Sequence, residues 1–154
     1  MKKERKHIYG PSHLRAINKR KLKHNIFLIC MWLLRNYKIT VEFACNAEDE
    51  YDSEKKIILI NSKTNLKSQL NTLLHEAGHA ILRADIRKYK KQFPSYNCVR
   101  ASKDSKMDIL REEFLAWEEG LKLAQKLKIK LDLEKYNGHM RKALWGYVYW
   151  AKNI

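Results

Sequence analysis

The sequence predicts an α+β fold in which a small antiparallel sheet packs on one long helix, with further helices around them. Hydrophobic residues make up 45% of the 154 residues, which is enough for one core. Five glycines and two prolines are too few for a turn-rich β-sandwich. Two short β-branched or apolar segments follow one another closely, and the other apolar residues recur at helical spacing.

The N-terminal part of the chain is strongly basic. The sequence has 32 lysines and arginines against 17 acidic residues, a formal net charge of +15. Residues 1–24 hold nine of these cations and a single glutamate. We therefore divide the chain into a basic arm, residues 1–23, and one domain over residues 24–154. The charge indicates an anionic partner and says nothing about the fold.

The first half of the domain predicts a helix and two strands. Residues 24–36 read as a helix that is apolar on nearly all sides at its centre, so we expect it to pack on two sides. Residues 38–44 alternate and are β-branched, and in residues 56–60 a lysine is followed by four apolar residues. An acidic turn, residues 46–54, separates these strands. Together they predict an antiparallel hairpin.

The second half predicts three helices. The clearest helical pattern begins within residues 62–68 and ends near Lys88. Residues 91–107 show little periodicity and predict a long loop. A second helix is expected over residues 107–128, and an aromatic-rich helix over residues 139–152.

A metal-binding motif lies inside the helix that begins within residues 62–68. His75 and His79 are four residues apart, so both imidazoles project from one face of the helix and can reach a single ion. Glu76 projects into the same site and is placed to hold a water molecule. This HExxH motif indicates a zinc site with Glu76 as general base.

Zinc needs a third protein ligand and an open fourth position. Asp85 follows His79 by six residues, where an extended form of the motif has its third ligand. That form needs a glycine that breaks the helix, and Leu82 stands at the glycine position. An unbroken helix would carry Asp85 about 9 Å along from His79, too far to share the ion. Asp85 is therefore the weaker candidate.

The pair Glu112-Glu113 in the following helix offers stronger candidates. Glu113 lies on the apolar stripe with Trp117, where a carboxylate is costly unless it is paired or binds a metal. Glu112 is expected on the polar side, so the pattern favours Glu113 and leaves Glu112 as an alternative. Ala116 and Gly78 are small enough for the two helices to approach closely there.

With these residues the chain resembles the gluzincin-type metallopeptidases, in the compact form of ImmA/IrrE-like and SprT-like proteins. The resemblance covers residues 24–127 in the order helix, two strands, HExxH helix and a helix with Glu-x-x-Ala. In that pattern the ligand glutamate precedes the alanine by three, which falls on Glu113 and Ala116. Short HExxH proteins of phages and mobile elements, with a Glu-Glu-x-x-Ala-Trp helix, look most similar. The resemblance implies a zincin-like fold, a minimal gluzincin.

The resemblance also implies an activity, that of a zinc metalloendopeptidase acting on a protein substrate. Zn²⁺ held by His75, His79 and Glu113 would polarise the scissile carbonyl, and Glu76 would act as general base. If the strand over residues 56–60 forms the rim of the cleft, an extended substrate could pair with it. Three cysteines without a CxxC pair fit a cytoplasmic location.

Hydrolysis usually needs a further hydrogen-bond donor to stabilise the oxyanion of the transition state. Tyr96, on the predicted loop, and His139, at the start of the last predicted helix, are the candidates. The sequence does not choose between them.

Two other hypotheses remain at this point. In one, the chain is a nucleic-acid-binding or regulatory protein on a zincin scaffold with a structural metal. In the other, it is an interaction protein that blocks a partner through its basic face. The first predicts phosphate contacts from four cations of the arm: Lys19, Arg20, Lys21 and Lys23. No apolar run is long enough to cross a membrane, and no pattern specifies an oligomeric state.

Overall fold

The computed structural model describes residues 11–96 and 102–152, with side chains from residue 14 onward, and confirms an α+β fold. The described residues form five helices and three strands. In chain order these are α1 (Pro11–Tyr37), β1 (Thr40–Ala44), β2 (Glu50–Asp52), β3 (Ile57–Asn61), α2 (Leu66–Arg83), α3 (Ile86–Gln92), α4 (Lys103–Lys126) and α5 (Leu133–Lys152). The central helix, α2, contacts α1, the sheet and α4, and its packing against α4 is the most extensive.

The sheet is mixed, and the predicted antiparallel hairpin is wrong. The strand order is β1-β3-β2, with β1 parallel to β3 and β2 antiparallel to β3. β3 is the central strand, with Ile58 and Ile60 fully buried, and its backbone needs hydrogen-bond partners on both edges. β2 supplies the second partner from the segment that the sequence indicated as an acidic turn.

A tight turn joins β2 to β3. The carboxylate of Asp52 accepts hydrogen bonds from the backbone amides of Glu54 and Lys55, at 3.0 and 2.9 Å. Lys56 follows with a φ of 58°, a left-handed conformation that closes the turn. Tyr51, in the middle of β2, is buried and ties this short strand to the core.

The first helix is longer than predicted and packs on one side only. α1 starts at Pro11, a favoured first helical residue because its missing amide is not needed there. The predicted boundary between arm and domain thus falls inside α1, and residues 1–10 of the arm lie outside the described residues. Ile29 and Leu33 are fully buried, whereas Phe27 and Leu34 are exposed. The expectation of packing on two sides is therefore wrong.

α2 ends earlier than predicted, and Asp85 is the reason. Its side chain accepts hydrogen bonds from the backbone amides of Arg87 and Lys88, both at 3.1 Å, and so caps the N-terminus of α3. The helix does break after His79, but at Ala84 and Asp85. Asp85 is therefore occupied as a helix cap.

Two glycines let α2 and α4 approach backbone to backbone. A Cβ atom at Gly78 would overlap the backbone of Ala116, and one at Gly120 would overlap the backbone of Leu74. The contact between Gly78 and Ala116 is the close approach that the sequence predicted. Because the helices touch at two points, α4 is fixed against the middle of α2.

The remaining predicted helices are present with shifted ends. α4 starts at Lys103 and α5 at Leu133, both earlier than predicted. The predicted loop over residues 91–107 is shortened from both ends, and residues 97–101 lie outside the described residues. Within the described ranges, no helix is long and apolar enough to cross a membrane.

Candidate metal centre

Two helices bring the three predicted ligands together. His75 and His79 lie in the middle of α2, and Glu113 lies in α4. The two Nε2 atoms are 3.2 Å apart. Glu113 Oε2 lies 3.3 Å from His75 Nε2, and Glu113 Oε1 lies 3.5 Å from His79 Nε2. In a tetrahedral zinc site with bonds of about 2.0–2.1 Å, donor atoms are about 3.3 Å apart. These residues therefore fit a zinc ion in chemistry and in spacing.

The electrostatics of the cluster favour a positive charge between the donors. All three side chains are buried. Burial lowers the pKa of His79, but hydrogen bonds to Glu112 and Glu113 outweigh it and raise this pKa to about 10. Burial acts to raise the pKa of Glu113, but hydrogen bonds to His75 and His79 hold it well below its ordinary value. Glu113 is thus ionised at neutral pH, and a divalent cation would compete with the proton on His79.

Glu112 holds the ring of His79 from behind. It is 1% exposed, and its Oε1 accepts hydrogen bonds from His79 Nδ1 at 3.0 Å and from Arg83 Nε at 2.8 Å. Arg83 in turn donates from Nη2 to the Tyr96 hydroxyl at 2.9 Å. Because Nδ1 of His79 donates to Glu112, its Nε2 is oriented towards the site.

The sequence missed this role of Glu112. We expected Glu112 on the polar side of α4, which is wrong, because α4 lies so close to α2 that positions 112 and 113 both face it. The sequence feature that could have indicated this role is the Glu112-Glu113 pair itself. Two neighbouring carboxylates beside an apolar stripe can be buried together only if both have cationic or hydrogen-bonding partners.

His75 is held by packing. Its ring stacks on that of Trp117, with centroids 4.4 Å apart and planes 25° apart. Within the described part of the chain, His75 Nδ1 is buried and has no hydrogen-bond partner. Trp117 itself meets Tyr136 edge to face at 5.2 Å, and the Tyr136 hydroxyl donates to the Trp117 carbonyl at 2.9 Å.

The three candidate ligands, His75, His79 and Glu113, face a cavity of about 180 Å³. Glu76 is buried in its wall, and burial raises the pKa of this carboxyl, with the neighbouring histidines opposing the rise. Glu50 and Tyr51 of β2 line another side. The strand over residues 56–60 cannot pair with a substrate at this rim, since β3 is central in the sheet and is paired on both edges.

Tyr147 also lines the cavity, and the sequence missed it. It lies among aromatics at helical spacing in α5, and that spacing does not distinguish a cavity residue from a core residue. Burial raises the pKa of Tyr147 above its ordinary value, so its hydroxyl keeps its proton at neutral pH. It can therefore donate a hydrogen bond into the cavity.

The two predicted oxyanion donors lie elsewhere. The Tyr96 hydroxyl accepts a hydrogen bond from Arg83 Nη2 at 2.9 Å. His139 accepts a hydrogen bond from Asn71 at 3.3 Å through its Nδ1 and lines a different cavity. Neither is among the described residues that line the metal cavity.

Comparison with known proteins gives one match. The family model for Peptidase M78, described as the IrrE N-terminal-like domain, matches residues 39–117, just over half of the chain. The matched residues run from the start of the sheet to the middle of α4 and contain both histidines and all three glutamates of the site, Glu76, Glu112 and Glu113. No curated protein and no solved structure matches the chain.

Proposed function

Because this chain belongs to the IrrE N-terminal-like family of metallopeptidases, we propose that it is a zinc-dependent peptidase that hydrolyses peptide bonds in a protein substrate. The spacing of the donor atoms of His75, His79 and Glu113 carries the proposal, since it matches a tetrahedral zinc site. A His/His/Glu set favours zinc over Mg²⁺ or Ca²⁺, which prefer oxygen ligands.

The proposed mechanism uses Glu76 as general base. Zinc bound by His75, His79 and Glu113 would act as a Lewis acid that polarises the scissile carbonyl and acidifies a water molecule. Glu76 lines the same cavity and accepts the proton of that water, then passes it to the leaving amine. The raised pKa of Glu76 makes it easier for this carboxyl to hold the proton between the two steps.

Tyr147 is our candidate for the oxyanion donor, in place of Tyr96 and His139. Its protonated hydroxyl lies in the wall of the metal cavity, on a different helix from the ligands. A donor in this position can stabilise the negative charge that develops on the carbonyl oxygen in the transition state.

We infer that the substrate lies along β2. This strand is at an edge of the sheet and contributes Glu50 and Tyr51 to the cavity wall. An extended peptide can add to such an edge by backbone hydrogen bonds. The carboxylates of Asp49 and Glu50 at this rim favour a substrate with a basic side chain near the scissile bond.

The test is the variant Glu76→Gln, with a quenched-fluorescence peptide library as the probe. We expect the variant to bind one zinc ion, measured by elemental analysis, while cleavage falls about 10²–10⁴-fold. Glu42→Gln, an exposed glutamate on β1, is the matched control and should cleave normally. Cleavage by the Glu76→Gln variant at the wild-type rate, or no cleavage by the zinc-loaded wild type, would contradict the proposal.

A further inference from the structure

The first half of α1 stands away from the body of the protein. Residues 14–21 are all exposed, and so are residues 23 and 24. The whole helix contains no aspartate or glutamate. A helix that is polar on most sides and packs against nothing gains little stability from the protein itself. Contact with a partner would stabilise it.

The cations of this half form a line. Arg15, Lys19 and Lys23 are four residues apart and lie on one face of α1, spanning about 12 Å. Leu22 is on the adjoining part of that face, and it lines a second cavity of about 580 Å³. The line of cations therefore leads to the mouth of this cavity.

Three further lysines surround the second cavity from distant parts of the sequence. Lys67 belongs to the first turn of α2, Lys130 to the segment before α5, and Lys135 to the first turn of α5. Among the described residues that line this cavity, Asp132 is the only carboxylate, and it is paired with Lys135 at 3.1 Å. The fold thus gathers cations that are far apart in the chain.

We propose that this cationic surface binds the phosphate backbone of a nucleic acid duplex. We define the cationic surface as Arg15, Lys19 and Lys23 of α1 with Lys67, Lys130 and Lys135 around the second cavity. It shares no residue with the lining of the metal cavity. The proposal rests on charge and shape and does not depend on the proposed peptidase activity.

Shape favours a duplex over a membrane surface. An α-helix about 10–12 Å wide fits a DNA major groove about 12 Å wide, and residues 14–21 of α1, more than two turns, are all exposed. A membrane-bound helix needs a continuous apolar face. The exposed pair Leu14 and Ile17 does not continue, because Lys21 occupies the next turn.

The experiment compares two triple variants of the full chain that lose the same charge. In the first, Arg15, Lys19 and Lys23 are replaced by Gln. In the control, Lys88, Lys90 and Lys91, which are exposed on α3, are replaced by Gln. Binding to a fluorescent 24-base-pair DNA duplex is measured by anisotropy at several salt concentrations, with circular dichroism to verify folding.

We expect the first variant to bind the DNA at least about tenfold more weakly, and its slope of log K against log salt to fall by about 2–3. The control should stay within about twofold of wild type if only the cationic surface contacts phosphates. Equal losses in both variants would show an effect of net charge alone and overturn the proposal.

Three further measurements complete the test. Lys67→Gln with Lys130→Gln should lower the slope by a further 1–2 or so, and an unchanged slope would overturn the role of the second cavity. The Glu76→Gln variant should bind the duplex like wild type, which separates this proposal from the peptidase. Binding to phosphatidylserine vesicles without binding to the duplex would overturn the proposal in favour of a membrane.

Discussion

His75 and His79 lie one turn apart on α2 and face the same site, but the protein holds them by different means. His79 is held by a chain of hydrogen bonds. Glu112 accepts hydrogen bonds from His79 Nδ1 and from Arg83, and Arg83 also donates to the Tyr96 hydroxyl. His75 is held by the stacked ring of Trp117. The charge on His79 therefore depends on its hydrogen-bond partners, whereas the position of His75 depends on the size of the side chain that packs against it.

This difference predicts that substitutions beside His79 and substitutions beside His75 affect different properties of the protein. Removing the charge of Glu112, the partner of His79, should weaken metal binding. It should change the free energy of unfolding less, since α2 and α4 still touch at their glycines. Replacing Trp117, which stacks on His75, with a smaller residue should mainly lower the free energy of unfolding, because the Trp117 ring also packs against Tyr136 in the core. Variants on each side test this comparison.

The largest expected effect is on the His75 side. Trp117→Ala removes a nearly fully buried ring and should lower the free energy of unfolding by about 3–5 kcal/mol, measured by urea denaturation of the metal-free protein. Trp117→Phe keeps a ring to stack on His75 and removes the buried indole N–H, which has no partner within the described residues, so it should cost much less. Equal losses in both variants would mean that stacking volume is not what holds His75.

The next effect is on the His79 side. Glu112→Gln keeps the shape of the side chain and removes the charge that His79 and Arg83 share, so zinc affinity should fall about 10–100-fold in a competition titration with a chelator. Glu118→Gln, on the same helix and outside the site, is the control. If zinc affinity is unchanged while stability falls as far as in Trp117→Ala, the distinction between the two histidines is wrong.

The smallest effect is expected at the end of the chain of hydrogen bonds. Tyr96→Phe removes one hydrogen bond to Arg83, worth about 0.5–1.5 kcal/mol, and should lower zinc affinity by less than about tenfold with kcat nearly unchanged. Tyr149→Phe, an exposed tyrosine on α5, is the control. A kcat loss of about 10²-fold at unchanged zinc affinity would instead make Tyr96 the oxyanion donor, as the sequence suggested.

The fold class and the clustering of His75, His79 and Glu113, which could hold a metal ion, were predictable because each rests on a strong local pattern. HExxH needs only the helical repeat, and Glu113 follows from the cost of a carboxylate on an apolar stripe. The close approach at Gly78 and Ala116 could also be read from residue size.

Other features depend on contacts between distant segments. β2 is three residues long and acidic at both ends, so no periodicity marks it. Because β2 comes between β1 and β3 in the chain and runs antiparallel to β3, β1 and β3 run parallel to each other. Tyr147 reaches the cavity because of where α5 crosses α4, which no local pattern records. The sequence made Asp85 the weaker ligand candidate, but its role as the N-cap of α3 depends on where α2 ends, which the helical pattern did not show.

The two glycine contacts between α2 and α4 have a consequence for how metal arrives. Because the backbones touch at Gly78 and at Gly120, the packing of α2 on α4 sets the distance between the two histidines and Glu113. The fold itself thus positions these three side chains, and little apolar surface would be left to bury on metal binding. Metal uptake should then be governed by passage through the cavity mouth, and its heat capacity change should be small.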